Sequence, residues 1–208
     1  MAEARQIAGR RYSIGELMAE IEKDLVFFDD SSGGVTLSGG EPVAQPAFAA
    51  AVLKECGARR IRTAIETCGF AKPAIFGAVA ALADLVLFDV KIVDAEKHRR
   101  HTGTTNELIL GNLEELVRSG RAVTVRIPVV PGINDAEEEI DAFARYLGRV
   151  RPRAVELLPY HPIGAEKYRR LGRRYELAET PHPSAAGLAQ FRDVLSQAGL
   201  QVTVGGES

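Results

Sequence analysis

The apolar run Asp84-Leu85-Val86-Leu87-Phe88-Asp89-Val90 is the clearest indication of the fold. Its apolar side chains follow one another almost without interruption, whereas a strand with one solvated face alternates apolar and polar residues. The run therefore predicts a strand that is buried on both faces. Strands of this kind belong to parallel sheets that are covered by helices.

Helix and strand signals alternate on both sides of this run. Ser13 and Glu16 form a capping box that opens the first predicted helix. Further strands are predicted at 34–37, 60–66, 122–127, 154–158 and 200–204, and helices at 45–55, 72–82, 106–119, 136–150 and 184–198. Strands separated by helices imply right-handed crossovers and a parallel sheet. The number of units, without a Rossmann-type glycine fingerprint at the start, favours an open or closed α/β barrel.

Length and composition limit the classes of function. A chain of 208 residues with 46% hydrophobic residues is expected to form one domain, 1–208. The formal net charge of −2 gives no general attraction to nucleic acid or to an anionic membrane. No apolar run reaches the roughly 18 residues of a membrane span, and no signal-peptide core follows Met1. We therefore expect a cytoplasmic protein without nucleic-acid or membrane partners.

The cysteine content limits the possible metal sites. The sequence holds two cysteines, Cys56 and Cys68, which are not closely spaced. A disulfide scaffold is not expected in a chain of this kind. Two cysteines also cannot supply the four thiolates of a cysteine-only zinc or iron–sulfur site.

Polar residues gather at the carboxyl ends of five predicted strands. These ends are Ser38-Gly39-Gly40-Glu41-Pro42, Glu66-Thr67-Cys68-Gly69, Asp89-Val90-Lys91, Arg126-Ile127-Pro128 and Pro159-Tyr160-His161-Pro162. Ligands of βα folds bind at the carboxyl ends of the strands. We therefore predict that these residues meet at one rim and that the rim is the working site.

Each rim residue also has a structural interpretation. Gly39 and Gly40 could form only a tight turn, and His161 could be an ordinary loop histidine. Arg126 could form a buried ion pair with Asp89 or Glu66. Their joint occurrence at one edge favours the functional interpretation, because structural residues have no reason to collect there.

The residue types at the rim suit a zwitterionic ligand. Two glycines let the backbone approach a ligand closely. Glu66 and Asp89 offer negative charge to an ammonium group or a cation, whereas Lys91 and Arg126 offer positive charge to a carboxylate. His161 adds a hydrogen bond. A polyphosphate would fit this mixture less well.

The same segments resemble the radical S-adenosylmethionine (SAM) superfamily and, within it, the activating enzymes of glycyl-radical enzymes, such as pyruvate formate-lyase activating enzyme. The strongest match is 33–42, and the family's motifs at 65–69, 88–91, 125–135 and 156–161 follow in the same order. One such motif would be weak, but five in order are specific. The resemblance extends from about residue 13 to about residue 161.

The resemblance implies a partial (β/α)6 barrel, missing the first strand, that binds SAM across its mouth. Its SAM-binding positions correspond to Gly39, Gly40, Glu41, Glu66, Asp89, Val90, Lys91, Arg126 and His161. The glycine loop would hold the methionine amino group, and some members bind a monovalent cation near the acidic pair Glu66 and Asp89. The implied reaction cleaves SAM to a 5′-deoxyadenosyl radical, which removes hydrogen from a glycine of a glycyl-radical enzyme. An electron donor such as flavodoxin or ferredoxin is also implied.

One departure from the family is large. The family's 4Fe–4S cluster is held by a Cys-x3-Cys-x2-Cys loop, and this sequence contains no such loop. We therefore interpret the chain as an N-terminally truncated activase that does not cleave SAM, and assign it no catalytic and no metal-ligating residue.

Two other functions stay open. A non-catalytic barrel could bind SAM or a partner, and the basic run 167–175, within the predicted irregular loop 159–183, could contact that partner. A solvated loop is favoured for this run, because charged runs usually face water. Lys91 could alternatively form a Schiff base as in a lyase, although Glu66 and Asp89 would keep it protonated.

Overall fold

The computed structural model describes residues 10–31, 33–162, 168, 172 and 174–205. In this part of the chain, six parallel strands form one sheet in the order β1 to β6, with β1 and β6 at its open edges. The strands are Gly34–Leu37, Arg62–Thr67, Leu85–Asp89, Val123–Val129, Ala154–Pro159 and Val202–Val204. Each strand pairs with its neighbour in the chain, so the predicted α/β partial barrel is confirmed.

Helices separate the strands. Helices α1 to α8 span Ile14–Ile21, Leu25–Ser31, Pro46–Ala58, Pro73–Ala80, Ala95–Thr102, Glu107–Arg118, Glu137–Val150 and Ala185–Gln197. Helix α1 begins with the predicted capping box between Ser13 and Glu16. Helix α5 was not predicted, because its sequence is charged and lacks an apolar stripe. Its ends carry the missed signals, since Asp94 caps the first turn and Gly103 ends the helix at a left-handed φ of 85°.

Strand β4 continues two residues beyond its predicted end at Ile127 and includes Pro128. The carbonyl of Arg126 accepts a hydrogen bond from the Val90 amide at 3.0 Å, so the backbone hydrogen-bonding groups of Arg126 point toward β3. The backbone of Pro128, two residues later, also points toward β3. The β3 ladder has already ended at Asp89. Pro128 therefore removes no ladder hydrogen bond and does not end the strand.

The core lies between the sheet and the helices. Alternate strand residues such as Ile65, Val86, Phe88, Val125 and Leu157 are almost completely buried on this side. The residues between them, including Leu87, are only half-buried. The prediction that β3 is buried on both faces is therefore wrong, because the described helices cover one face. The opposite face carries the polar rim residues.

Within the described residues, no helix combines the length and apolarity that crossing a membrane requires.

Candidate functional site

The loop after β1 leaves two glycine backbones free. Gly39 and Gly40 have left-handed φ values of 82° and 62°. No atom would lie within 4 Å of a Cβ added at either position. In the described part of the chain, no hydrogen bond uses the backbone amide or carbonyl of either glycine. The loop therefore offers an open cradle of backbone polar groups to a ligand.

The Glu41 side chain is engaged within the protein. One carboxylate oxygen accepts a hydrogen bond from Thr67 Oγ1 at 2.7 Å, and the other accepts from the Cys68 amide and thiol, each at 3.1 Å. These bonds fasten the glycine loop to the end of β2. Burial, reinforced by the hydrogen bond to Glu41, raises the pKa of the Cys68 thiol. Sequence reasoning did not find this role of Thr67 and Cys68, because it depends on a contact between two separate loops.

Arg126 lies between the two acidic residues of the rim. Its guanidinium donates to Glu66 Oε1 at 2.5 Å and to Asp89 Oδ1 at 2.8 and 3.0 Å. The Arg126 side chain is 12% exposed, whereas the side chains of Glu66 and Asp89 are partly exposed. The Arg126 guanidinium holds the pKa of Glu66 below its usual value. Burial opposes the Arg126 cation, but the hydrogen bonds to both acids outweigh burial and raise the Arg126 pKa. The ion-pair interpretation left open from the sequence is therefore the observed arrangement.

Ser38 joins the glycine loop to this ion cluster. Its hydroxyl donates to Glu66 Oε2 at 2.7 Å. A continuous chain of hydrogen bonds thus runs from Ser38 through Glu66 and Arg126 to Asp89, and it connects β1 to β4. This chain fixes the position of the cradle relative to the carboxyl ends of the neighbouring strands.

Val90 and Lys91 follow Asp89 at the rim. Val90 is 1% exposed, belongs to the core and donates its amide to the Arg126 carbonyl. The Lys91 ammonium forms no hydrogen bond or ion pair with any described residue. It borders a cavity of about 620 Å³ at the carboxyl ends of β3, β4 and β5. His161 borders the same cavity, is exposed, and its ring lies 5.2 Å from that of His182.

Three buried asparagines hold the loops of the rim, a role that no sequence pattern predicted. Asn112 donates to the carbonyls of Gly69 and Ala71 after β2. Asn106 donates to two carbonyls of the loop after β3. Asn134 donates to the carbonyls of Lys91 and Pro128 at 2.8 and 2.7 Å, so it ties the end of β3 to β4. These side chains satisfy backbone groups that no strand partner reaches.

The family follows from a comparison with known proteins. The model of the radical SAM superfamily matches residues 3–144, which is more than half of the chain. The chain belongs to the radical SAM superfamily. Members of this superfamily use SAM and a 4Fe–4S cluster.

Within the radical SAM superfamily, the chain belongs with the activating enzymes of glycyl-radical enzymes. It is 40% identical over 206 residues to the trans-4-hydroxy-L-proline dehydratase activating enzyme of Clostridioides difficile, covering 98% of this chain and 68% of that protein. It is 41% identical over 198 residues to the pyruvate formate-lyase 2-activating enzyme of Escherichia coli, covering 95% and 68%. The family resemblance identified from the motifs is therefore confirmed.

A solved structure shows the same fold. The crystal structure of a domain of pyruvate-formate lyase-activating enzyme from Bacteroides vulgatus superposes with a TM-score of 0.71 and 31% identity. The match covers 84% of this chain and 99% of that domain.

The described residues leave space for a ligand such as SAM but do not fit the cluster. The open backbone cradle at Gly39 and Gly40 has room for a ligand. Cys56 is fully buried and Cys68 donates to Glu41, and burial raises the pKa of both thiols, whereas a cluster ligand must be a thiolate. No group of three histidine, cysteine or acidic side chains among the described residues is arranged to hold a metal ion. The described residues therefore provide no ligand set for the cluster.

Proposed function

We propose that this chain is the SAM-binding barrel of an activating enzyme that generates a glycyl radical on a partner enzyme. The observation that carries this proposal is the free backbone cradle of Gly39 and Gly40, which the Ser38–Glu66 hydrogen bond joins to the ion cluster. When bound, SAM supplies the 5′-deoxyadenosyl group that removes hydrogen from the partner's glycine.

Different site residues bind the ammonium group and the carboxylate of the SAM zwitterion. The carbonyls of the glycine loop accept hydrogen bonds from the methionine ammonium group. Lys91, which has no partner among the described residues, pairs with the methionine carboxylate. Arg126 pairs with both Glu66 and Asp89, offsets one of their two negative charges and holds them in place, so we propose a supporting role for it beside the predicted direct contact with SAM. His161, which borders the cavity, contacts SAM, and Val90 supports the site from the core.

A glycyl-radical enzyme is the protein substrate, and a flavodoxin or ferredoxin supplies the electron. A monovalent cation binds near Glu66 and Asp89. We place the protein in the cytoplasm, where Cys56 and Cys68 would stay reduced, as both are free thiols.

Calorimetric titration with SAM tests the site. We expect the wild-type chain to bind SAM weakly, with a Kd on the order of 0.1–1 mM, because no cluster ligates the methionine groups. Gly40→Val should weaken binding at least tenfold, since its side chain would fill the cradle. Gly120→Val is the matched control, because Gly120 also has a left-handed φ, of 75°, and open space around it, but follows α6 away from the rim. Equal SAM affinities for the two variants would refute the site.

A non-catalytic SAM-binding barrel is the second candidate, and the engagement of Cys68 with Glu41 favours it for this chain alone. The chain should therefore release no 5′-deoxyadenosine from SAM after anaerobic incubation with iron, sulfide and dithionite. Liquid chromatography of the reaction mixture provides the measurement. Release of 5′-deoxyadenosine at a rate above that of a protein-free mixture would show that the chain assembles a cluster in some other way.

A further inference from the structure

Asn134 is a buried residue beside Lys91 that the proposed function leaves without a role. It is 1% exposed and borders the same cavity as Lys91. Its side-chain amide donates to the Lys91 carbonyl at 2.8 Å and to the Pro128 carbonyl at 2.7 Å, and its side-chain oxygen accepts from the Val130 amide at 2.8 Å. Both amide hydrogens and the carbonyl oxygen of this side chain are therefore engaged within the protein.

Lys91 depends on such a contact, because it lies beyond the end of the sheet. The ladder between β3 and β4 ends at the pair Asp89 and Arg126, and the Val90 amide makes one further bond to β4. In the described part of the chain, no backbone hydrogen bond holds the Lys91 amide or carbonyl. The Asn134 side chain therefore takes the place of a strand partner and fixes the peptide group that follows the Lys91 Cα.

The direction of the Lys91 side chain matters for the proposed SAM site. The Lys91 ammonium has no partner among the described residues, and the proposed function pairs it with the methionine carboxylate. Most of the basic run 167–175, which could offer other cations, lies outside the described residues. A lysine side chain is flexible, so a fixed backbone lowers the entropy that is lost when the ammonium pairs with a carboxylate.

We propose that Asn134 is a positioning residue that sets the affinity of the site for the SAM carboxylate by holding the Lys91 backbone. The inference rests on the proposed function, because it requires SAM in the glycine cradle with its carboxylate at Lys91. Both amide hydrogens of Asn134 are used within the protein, so it acts on SAM through Lys91 and not by direct contact.

The preference of the full chain for SAM over decarboxylated SAM tests this role. Decarboxylated SAM keeps the ammonium group but lacks the carboxylate, so the ratio of the two dissociation constants reports on the carboxylate contact. Ligand-observed NMR titration measures both constants. We expect the wild-type chain to prefer SAM, and Asn134→Leu, which removes the hydrogen-bonding groups, to reduce that preference about fivefold. Asn134→Ala, which leaves room for water at the two carbonyls, should reduce it less and provides the test if the leucine variant does not fold.

Two further variants separate positioning from a general loosening of the rim. Asn112→Leu is the matched control, because Asn112 is 3% exposed and also donates to two loop carbonyls, those of Gly69 and Ala71. It should leave the preference for SAM unchanged. In a Lys91→Met background, Asn134→Leu should cause no further loss of preference, because the group that it positions is already absent.

Three results would overturn the proposal. They are an unchanged preference in both Asn134 variants, an equal loss of preference in Asn112→Leu, and a further loss when Asn134→Leu is added to Lys91→Met. A wild-type chain that binds no SAM, or that binds SAM and decarboxylated SAM equally, would contradict the proposed function instead.

Discussion

Replacing Gly69 with alanine should destabilise the fold by about 3 kcal/mol, because the change combines two costs. The backbone of Gly69 has a left-handed φ of 68°, which an L-residue adopts at a cost of about 1–2 kcal/mol. A Cβ at this position would also lie 2.6 Å from Cε2 of Phe88. Urea unfolding at neutral pH measures the loss as a lower midpoint with an unchanged slope.

Phe88 cannot easily move away from the new methyl group. Its side chain is completely buried, and its ring packs edge-on against Phe76 at 5.9 Å. Overpacking of this kind costs about 1–3 kcal/mol. Gly103→Ala is the control, since Gly103 has a φ of 85° with open space around it. It should lose about 1–2 kcal/mol, which is the backbone cost alone. Equal losses for the two variants would show that the Phe88 contact is not tight.

Arg126→Met should cost about 2–3 kcal/mol at pH 7, because it leaves two carboxylates close together without a counter-charge. This loss of stability is smaller than the roughly 3–5 kcal/mol expected for breaking a fully buried ion pair. The reason is that the side chains of Glu66 and Asp89 are 34% and 24% exposed. The variant should also lose the fixed link between β2, β3 and β4 at the rim. Urea unfolding over a range of pH provides the measurement.

The pH dependence identifies the cause of that loss. The folded-state pKa of Glu66 lies below its ordinary value, so its stabilising effect is present above the unfolded pKa and disappears as the pH falls through the folded value. The gap between wild type and Arg126→Met should therefore be widest at pH 7 and narrow in acid. Arg99→Met, which breaks an exposed pair with Glu96, should change stability little. A gap that stays constant down to acid pH would mean that packing, not charge, causes the loss.

The sequence predicted the secondary structure well where the pattern is periodic. The six strands and most of the helices were found within a few residues, since apolar spacing and turn residues act locally. Helix α5 was missed because its sequence, Ala95–Thr102, has no apolar stripe. The division into a single domain, 1–208, and the SAM contacts of individual residues stay predictions.

Local sequence patterns were enough to predict the parallel order of the strands and the gathering of polar residues at one rim. Both follow from local patterns, because helical connections between strands bring all carboxyl ends to the same edge. The contacts that those residues make could be seen only in the folded chain. Arg126 meets Asp89 because the two are register partners in β4 and β3, and Glu41 turns to Thr67 across separate loops. Register and loop contacts join residues far apart in the chain, so local spacing cannot specify them.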